Sequence, residues 1–221
     1  MGLNVIQLAR ASARLALEPY HLPSIVEAFD AVAEFKPMVA LYERMLGGLP
    51  QAERDHLEAL SRKPLDLDAC RAMPEGTLGR GVAHFLDDNG LFEDYYKRAY
   101  APVVDKLDRN WVMLRFARTH DYHHVVTGLP PDIPGEMALQ IINTLNFREP
   151  YGLATVALLP WSLVVYHRAG VGKTMSTIVR SLWGSRKAQN MFVFPWEDHL
   201  ETPVVELRRR LGLPEAGLMP G

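Results

Sequence analysis

Nineteen residues, Asp108 to Val126, run without a glycine or proline, and Gly128 and Pro130 then follow within four positions. An uninterrupted run with so abrupt an end predicts a helix. A helix turns about 100° per residue, so His120 and His124 lie one above the other on one face and Asp121 borders it. A proline-rich loop over 129–135 reverses the chain. Glu136 then opens an apolar stretch, in the first turn of a second helix. Two imidazoles at i, i+4 with carboxylates near them make a metal-ligand pattern. The candidate ligands and catalytic groups are therefore His120, Asp121, His124 and Glu136. Two nitrogens and two oxygens suit zinc, or a harder divalent ion such as manganese, cobalt or ferrous iron. Open positions on such an ion would also permit oxygen chemistry. The plain alternative is a solvated helix face. His123 cannot easily share a tetrahedral site with both neighbours, so it is expected in a supporting or surface position.

The rest of the chain predicts an all-α fold, a single domain over 1–221 of about eight to ten helices. Apolar spacing of three and four, punctuated by proline and glycine, places helices at 4–18, from Pro23-Ser24, after Lys36-Pro37 and over Pro50 to Leu60. Thr77 is expected to cap a helix reaching about Asp88 and carrying His84 and Phe85. Met137 continues the helix that Glu136 opens. Tyr151 to Tyr166 is almost wholly apolar and interrupted by Pro160, so residues 137–166 read either as plain core helices or as the walls of an apolar groove beside the metal site. Pro203 and Gly212 bracket a last helix that ends in Arg208, Arg209 and Arg210. No segment shows sustained period-two alternation.

Composition removes several classes of function. The chain is 48% hydrophobic and 23% charged with a net charge of −2, so nothing predicts nucleic-acid binding. One cysteine, Cys70, excludes an internal disulfide. No apolar run is long enough for a spanning helix. The helix at 4–18 is read as a first core helix rather than a membrane-surface helix. Gly172-Lys173-Thr174 ends like a phosphate-binding loop, but the required glycine five positions earlier is His167. Nucleotide hydrolysis is therefore not expected.

His120-Asp121-x-x-His124 followed, after eleven residues, by Glu136 resembles the signature of the coenzyme Q (ubiquinone) biosynthesis protein 4 family. Thr127-Gly128-Leu129-Pro130, Gly135 and the preceding Trp111-to-His120 helix agree with it. So do Pro74-x-x-Thr77-Leu78-Gly79 and the C-terminal run of Trp196-Glu197, Pro203, Glu206, Leu207-Arg208 and Leu211-Gly212. Pro134 departs from the pattern, which carries an aliphatic residue there. The likeness reaches from about residue 70 to 213, and residues 1–65 match loosely. The resemblance implies a bacterial-type member that removes the ring carboxyl at carbon 1 of a polyprenylated 4-hydroxybenzoate-type precursor, either simply or oxidatively with a hydroxyl left behind. It implies a metal-dependent lyase held peripherally on a membrane, with other enzymes of ubiquinone synthesis and a second copy of the chain as candidate partners. With no convincing presequence, the cytoplasmic face of a bacterial inner membrane is the expected location. Two alternatives stay open. One is a non-catalytic scaffold that binds prenyl lipid. The other is a helical phosphohydrolase built on His120-Asp121, which would need a further histidine such as His56 or His84.

Overall fold

Asn4, Asp66 and Thr77 each turn a side-chain oxygen onto a backbone amide two or three residues into a helix, and His21 does the same with a ring nitrogen. Such caps satisfy amides that have no partner within the helix itself. The computed structural model describes residues 3–18, 21–91, 100–145 and 170–219. Among these residues there are α-helices and two short 3-10 turns, and no strand. In chain order the helices are α1 (Val5–Leu17), α2 (Leu22–Val32), α3 (Lys36–Met45), α4 (Gln51–Arg62), α5 (Leu67–Ala72), α6 (Leu78–Asp88), α7 (Val104–Arg109), α8 (Trp111–Thr127), α9 (Ile133–Leu145), α10 (Val171–Gly184) and α11 (Val204–Leu211). The all-α expectation holds. The expected apolar stretch Tyr151 to Tyr166 lies outside the described residues.

The chain forms two compact units: Met1–Lys63 with Gly90–Arg118, and Pro64–Asn89 with Thr119–Gly221. In the first, α1 packs on α2, and α2 on α7. Lys106 reaches Asp30 at 2.7 Å, and the rings of Phe29 and Phe116 meet edge to face at 6.0 Å. Burial pushes the Asp30 carboxyl up, but hydrogen bonds from Lys106 and Gln7 and the Lys106 charge bring it below its ordinary value.

The expected helix from Asp108 is corrected here. Asn110 is extended, and its side chain accepts a hydrogen bond from the Met113 amide at 3.2 Å. It caps α8, so the run divides into α7 and α8. A helix can begin at an asparagine without any glycine or proline before it.

The second unit holds the candidate ligands. The start of α6 is fastened by the segment before α11. Leu78 and Gly79 amides donate to the Thr202 and Leu200 carbonyls at 2.9 and 2.8 Å, and the Val204 amide donates to Gly76 at 2.8 Å. A Cβ on Gly79 would overlap the Met73 sulfur, so close packing is what the Leu-Gly pair serves. Trp196 is fully buried, and its Nε1 donates to the Met191 carbonyl at 3.0 Å. Helices α9 and α10 pack along their length, burying Leu139 and Ile142 on one and Ile178 on the other.

The three arginines of α11 are committed within the protein. Arg208 donates from Nε to the Val126 carbonyl at 2.8 Å and from Nη2 to Val125 at 3.3 Å. The Leu218 amide adds a bond to Thr127 at 2.7 Å. These donors satisfy carbonyls left open at the C-terminus of α8, where positive charge also complements the helix dipole. Arg209 pairs with Glu215 at 2.9 Å, and Arg210 pairs with Glu206.

Candidate metal centre

The end of α8 and the start of α9 are joined by a turn with little freedom. Gly128 closes α8 with a left-handed φ of 73°, a conformation in which other residues are strained. Asp132 caps α9: its side chain accepts from the Gly135 amide at 2.9 Å, and its carbonyl accepts from the Glu136 amide at 2.8 Å. Pro134 sits in the first turn, where its missing amide proton is not needed. A Cβ at Gly135 would overlap the Pro130 carbonyl oxygen. The turn therefore folds back on itself directly beside Glu136.

This geometry brings three of the four sequence-predicted residues together. His120 Nε2 lies 3.2 Å from Glu136 Oε2, and His124 Nε2 lies 3.1 Å from Glu136 Oε1. The two Nε2 atoms are 3.2 Å apart. The rings stand nearly perpendicular, at 88°. One ligand atom from each of the three residues falls within a 4.8 Å span, as a single small cation requires. Asp121 is half-buried on the same helix and is not one of the three.

The protons sharpen this. His124 Nδ1 lies 2.9 Å from the Leu129 carbonyl, which can only accept, so Nδ1 carries the hydrogen. In the neutral ring, Nε2 then points a lone pair at a carboxylate oxygen and at a second imidazole nitrogen. Either a proton on His120 Nε2 or a cation among the three atoms makes this close approach favourable. A carbonyl that fixes the tautomer of a ligating imidazole is a regular part of metal sites. Burial pushes the Glu136 carboxyl up, but positive charge on the imidazole side, from His120 first, holds it well below the usual carboxylate range, a role that a cation bound among the three would take over. It is an anion at neutral pH. Two imidazoles and one carboxylate fit zinc and the other divalent ions named above. The His124 side chain is 1% exposed, whereas His120 and Glu136 are 20% and 23% exposed. An ion held there would therefore be reached from the His120–Glu136 side.

One supporting residue escaped the sequence reading. Phe85 of α6 lies against His124, with ring centroids 5.1 Å apart and planes at 17°. Its only sequence signal is a place in the helix that Thr77 caps. His123 is not at the surface: it is buried against Trp196, with ring centroids 5.7 Å apart. His84 is exposed and meets Glu75 at 3.3 Å, and His56 is exposed on α4. Neither belongs to the cluster. Lys173 and Thr174 lie in the first turn of α10 rather than in a loop, and Thr174 is buried.

Fold and site thus define an all-α protein with a two-histidine, one-carboxylate cluster, able to hold a metal ion, at a helix–turn–helix corner. Residues 11–216 match the family model of coenzyme Q (ubiquinone) biosynthesis protein Coq4. The chain belongs to that family, and the match extends well before residue 70. It is 29% identical over 207 residues to a mitochondrial ubiquinone biosynthesis protein COQ4 of Pyricularia oryzae, covering 93% of this chain and 62% of that protein. To the corresponding proteins of Yarrowia lipolytica and Talaromyces stipitatus it is 30% and 35% identical, over 70% of this chain and 57% and 52% of theirs. The chain therefore spans roughly half to three fifths of the length of these curated relatives. A crystal structure from Nostoc punctiforme superposes with a TM-score of 0.73 at 22% identity, over 95% of this chain and 98% of that one, and shares the fold.

Proposed function

We propose that the protein is a metal-dependent lyase that removes the carbon-1 carboxyl group from a polyprenylated 4-hydroxybenzoate-type precursor of ubiquinone. The observation that carries this reading is the convergence of His120, His124 and Glu136 on one point, with the tautomer of His124 fixed by Leu129. Membership of a ubiquinone-biosynthesis family supports a substrate drawn from that pathway. A divalent ion held there would act as a Lewis acid on the carboxylate-bearing ring, and a redox-active one could also engage dioxygen.

The chain's own residues divide the remaining work. His120 and His124 present neutral nitrogens, and Glu136 presents the anionic oxygen that balances part of the ion's charge. The more open His120–Glu136 side is where a ring carboxylate can approach. When the bond to the carboxyl carbon breaks, carbon dioxide leaves and the electron pair stays on ring carbon 1. A proton must then be delivered to that carbon. Asp121, next to His120 on the same helix but outside the converging three, is our candidate to move it. With dioxygen and two electrons from an external reductant, carbon 1 ends as a hydroxyl instead. The isoprenoid tail would lie along apolar surface that includes α9, and the membrane and other enzymes of the pathway are the expected partners.

Metal analysis of the purified chain, followed by product mass on a short-tail prenylated 4-hydroxybenzoate, tests the reading. The expected products lack the carboxyl and carry either hydrogen or hydroxyl at carbon 1, and His124→Ala should abolish both bound ion and product. Turnover that survives His124→Ala contradicts the site. Full metal occupancy with no turnover favours the lipid-binding scaffold.

A further inference from the structure

Helix α10 has two faces of opposite character. Thr174, Thr177, Ile178 and Ser181 are buried, and at 100° per residue they occupy one sector. Opposite them, Met175, Val179 and Trp183 are 39%, 61% and 69% exposed. They are four residues apart, so they form one ridge. Single exposed apolar residues are ordinary, but a contiguous ridge ending in an exposed tryptophan marks a contact surface.

The charge beside this ridge has one sign. Lys173 and Arg180, seven residues apart, line its edge, and Arg186 and Lys187 follow directly after the helix; all four are exposed. No Asp or Glu occurs between residues 170 and 196, although the whole chain carries a net charge of −2. The basic character is therefore local. Lys173 bridges to Asp132 at 3.2 Å. Arg180, Arg186 and Lys187 make no ion pair among the described residues. The Arg186 guanidinium lies 4.3 Å over the Trp183 ring, which places a cation and an aromatic at the same level.

We propose that this face docks the second unit onto an anionic lipid surface. Trp183, Val179 and Met175 enter the boundary between headgroups and acyl chains, while Arg180, Arg186 and Lys187 hold lipid phosphates. An apolar ridge bordered by cations and closed by tryptophan is the pattern of a helix lying in the membrane plane. No described helix is long and apolar enough to cross a membrane, so contact through this helix is contact from the surface. The assignment deepens the membrane association proposed above by naming the face that makes it, and it does not depend on the proposed reaction.

The test is flotation of the whole chain with vesicles of phosphatidylcholine alone or mixed with phosphatidylglycerol. Binding is expected only with the anionic lipid and should fall as salt rises. Arg180→Ala, Arg186→Ala and Lys187→Ala together should weaken it about a hundredfold, at about fivefold per basic residue. Met175→Ser, Val179→Ser and Trp183→Ser together should abolish it. Trp183 emission, taken as the difference from Trp183→Phe, should shift to the blue on anionic vesicles. Helix content and bound metal should stay unchanged in both triple variants, which separates this result from any failure of the metal centre. Equal flotation of wild type and both variants overturns the proposal, as does equal binding to pure phosphatidylcholine. A dimer by sedimentation equilibrium that is lost in the apolar triple variant would instead make the face a contact between copies.

Discussion

Residues 119–136 and residues 171–187 both carry motif-like spacings in sequence, and the fold treats them oppositely. In the first, a helix end, a turn closed by Gly128 and Gly135, and a second capped helix aim His120, His124 and Glu136 at one point. In the second, Gly172-Lys173-Thr174 lies at the start of α10, so Thr174 is buried and Lys173 pairs with Asp132. A phosphate-binding loop also needs a glycine-rich turn ahead of the helix, and His167 stands where its first glycine is required. The outward side chains of α10 are what remain available, and they are apolar and basic. Spacing becomes chemistry only where the backbone turns side chains toward one another.

The largest test of this contrast is removal of a ligand. His124→Ala or Glu136→Gln should take bound divalent ion from about one per chain to near none by elemental analysis, while Lys173→Ala should leave it unchanged. Loss of the ion in Lys173→Ala would break the distinction. Gly135→Ala should come next. Its Cβ meets the Pro130 carbonyl, and forcing it in should cost about 1–3 kcal/mol in denaturant unfolding, with weaker ion binding because Glu136 is the next residue. Wild-type stability there would mean that the turn is not rigid.

Phe85→Leu removes the ring stacked on His124. It should cost about 1 kcal/mol and lower ion affinity severalfold by titration, with both imidazoles still present. The smallest effect belongs to Lys173→Ala. Its bridge to Asp132 is largely exposed, so thermal unfolding should change by no more than about 0.5 kcal/mol. Nucleoside triphosphate binding should be absent from both wild type and variant by calorimetry.

The all-helical fold was legible because apolar spacing and proline–glycine punctuation act locally. Helix α6 starts at its Thr77 cap and α11 stops at Gly212, as read. The split at Asn110 was missed because a polar cap interrupts a helix without a breaker residue. His120, His124 and Glu136 were legible because two of them share one helix face and a short turn fixes the third. Phe85 and the Leu129 carbonyl were not. One lies on a helix distant in sequence, and the other is a backbone atom, which no side-chain pattern can reveal. The burial of His123 depends on Trp196, more than seventy residues further along the chain. Arg208 read as one of three cations that end the last helix, and only the fold shows it capping α8.

The most direct measurement is anomalous diffraction from crystals grown with zinc or cobalt, recorded at the absorption edge of the metal. One peak is predicted at bonding distance, about 2.0–2.2 Å, from Nε2 of His120, Nε2 of His124 and a carboxylate oxygen of Glu136, with the Leu129 carbonyl still on Nδ1 of His124. An ordered cluster with no peak, or a peak bound elsewhere on the chain, would contradict the account.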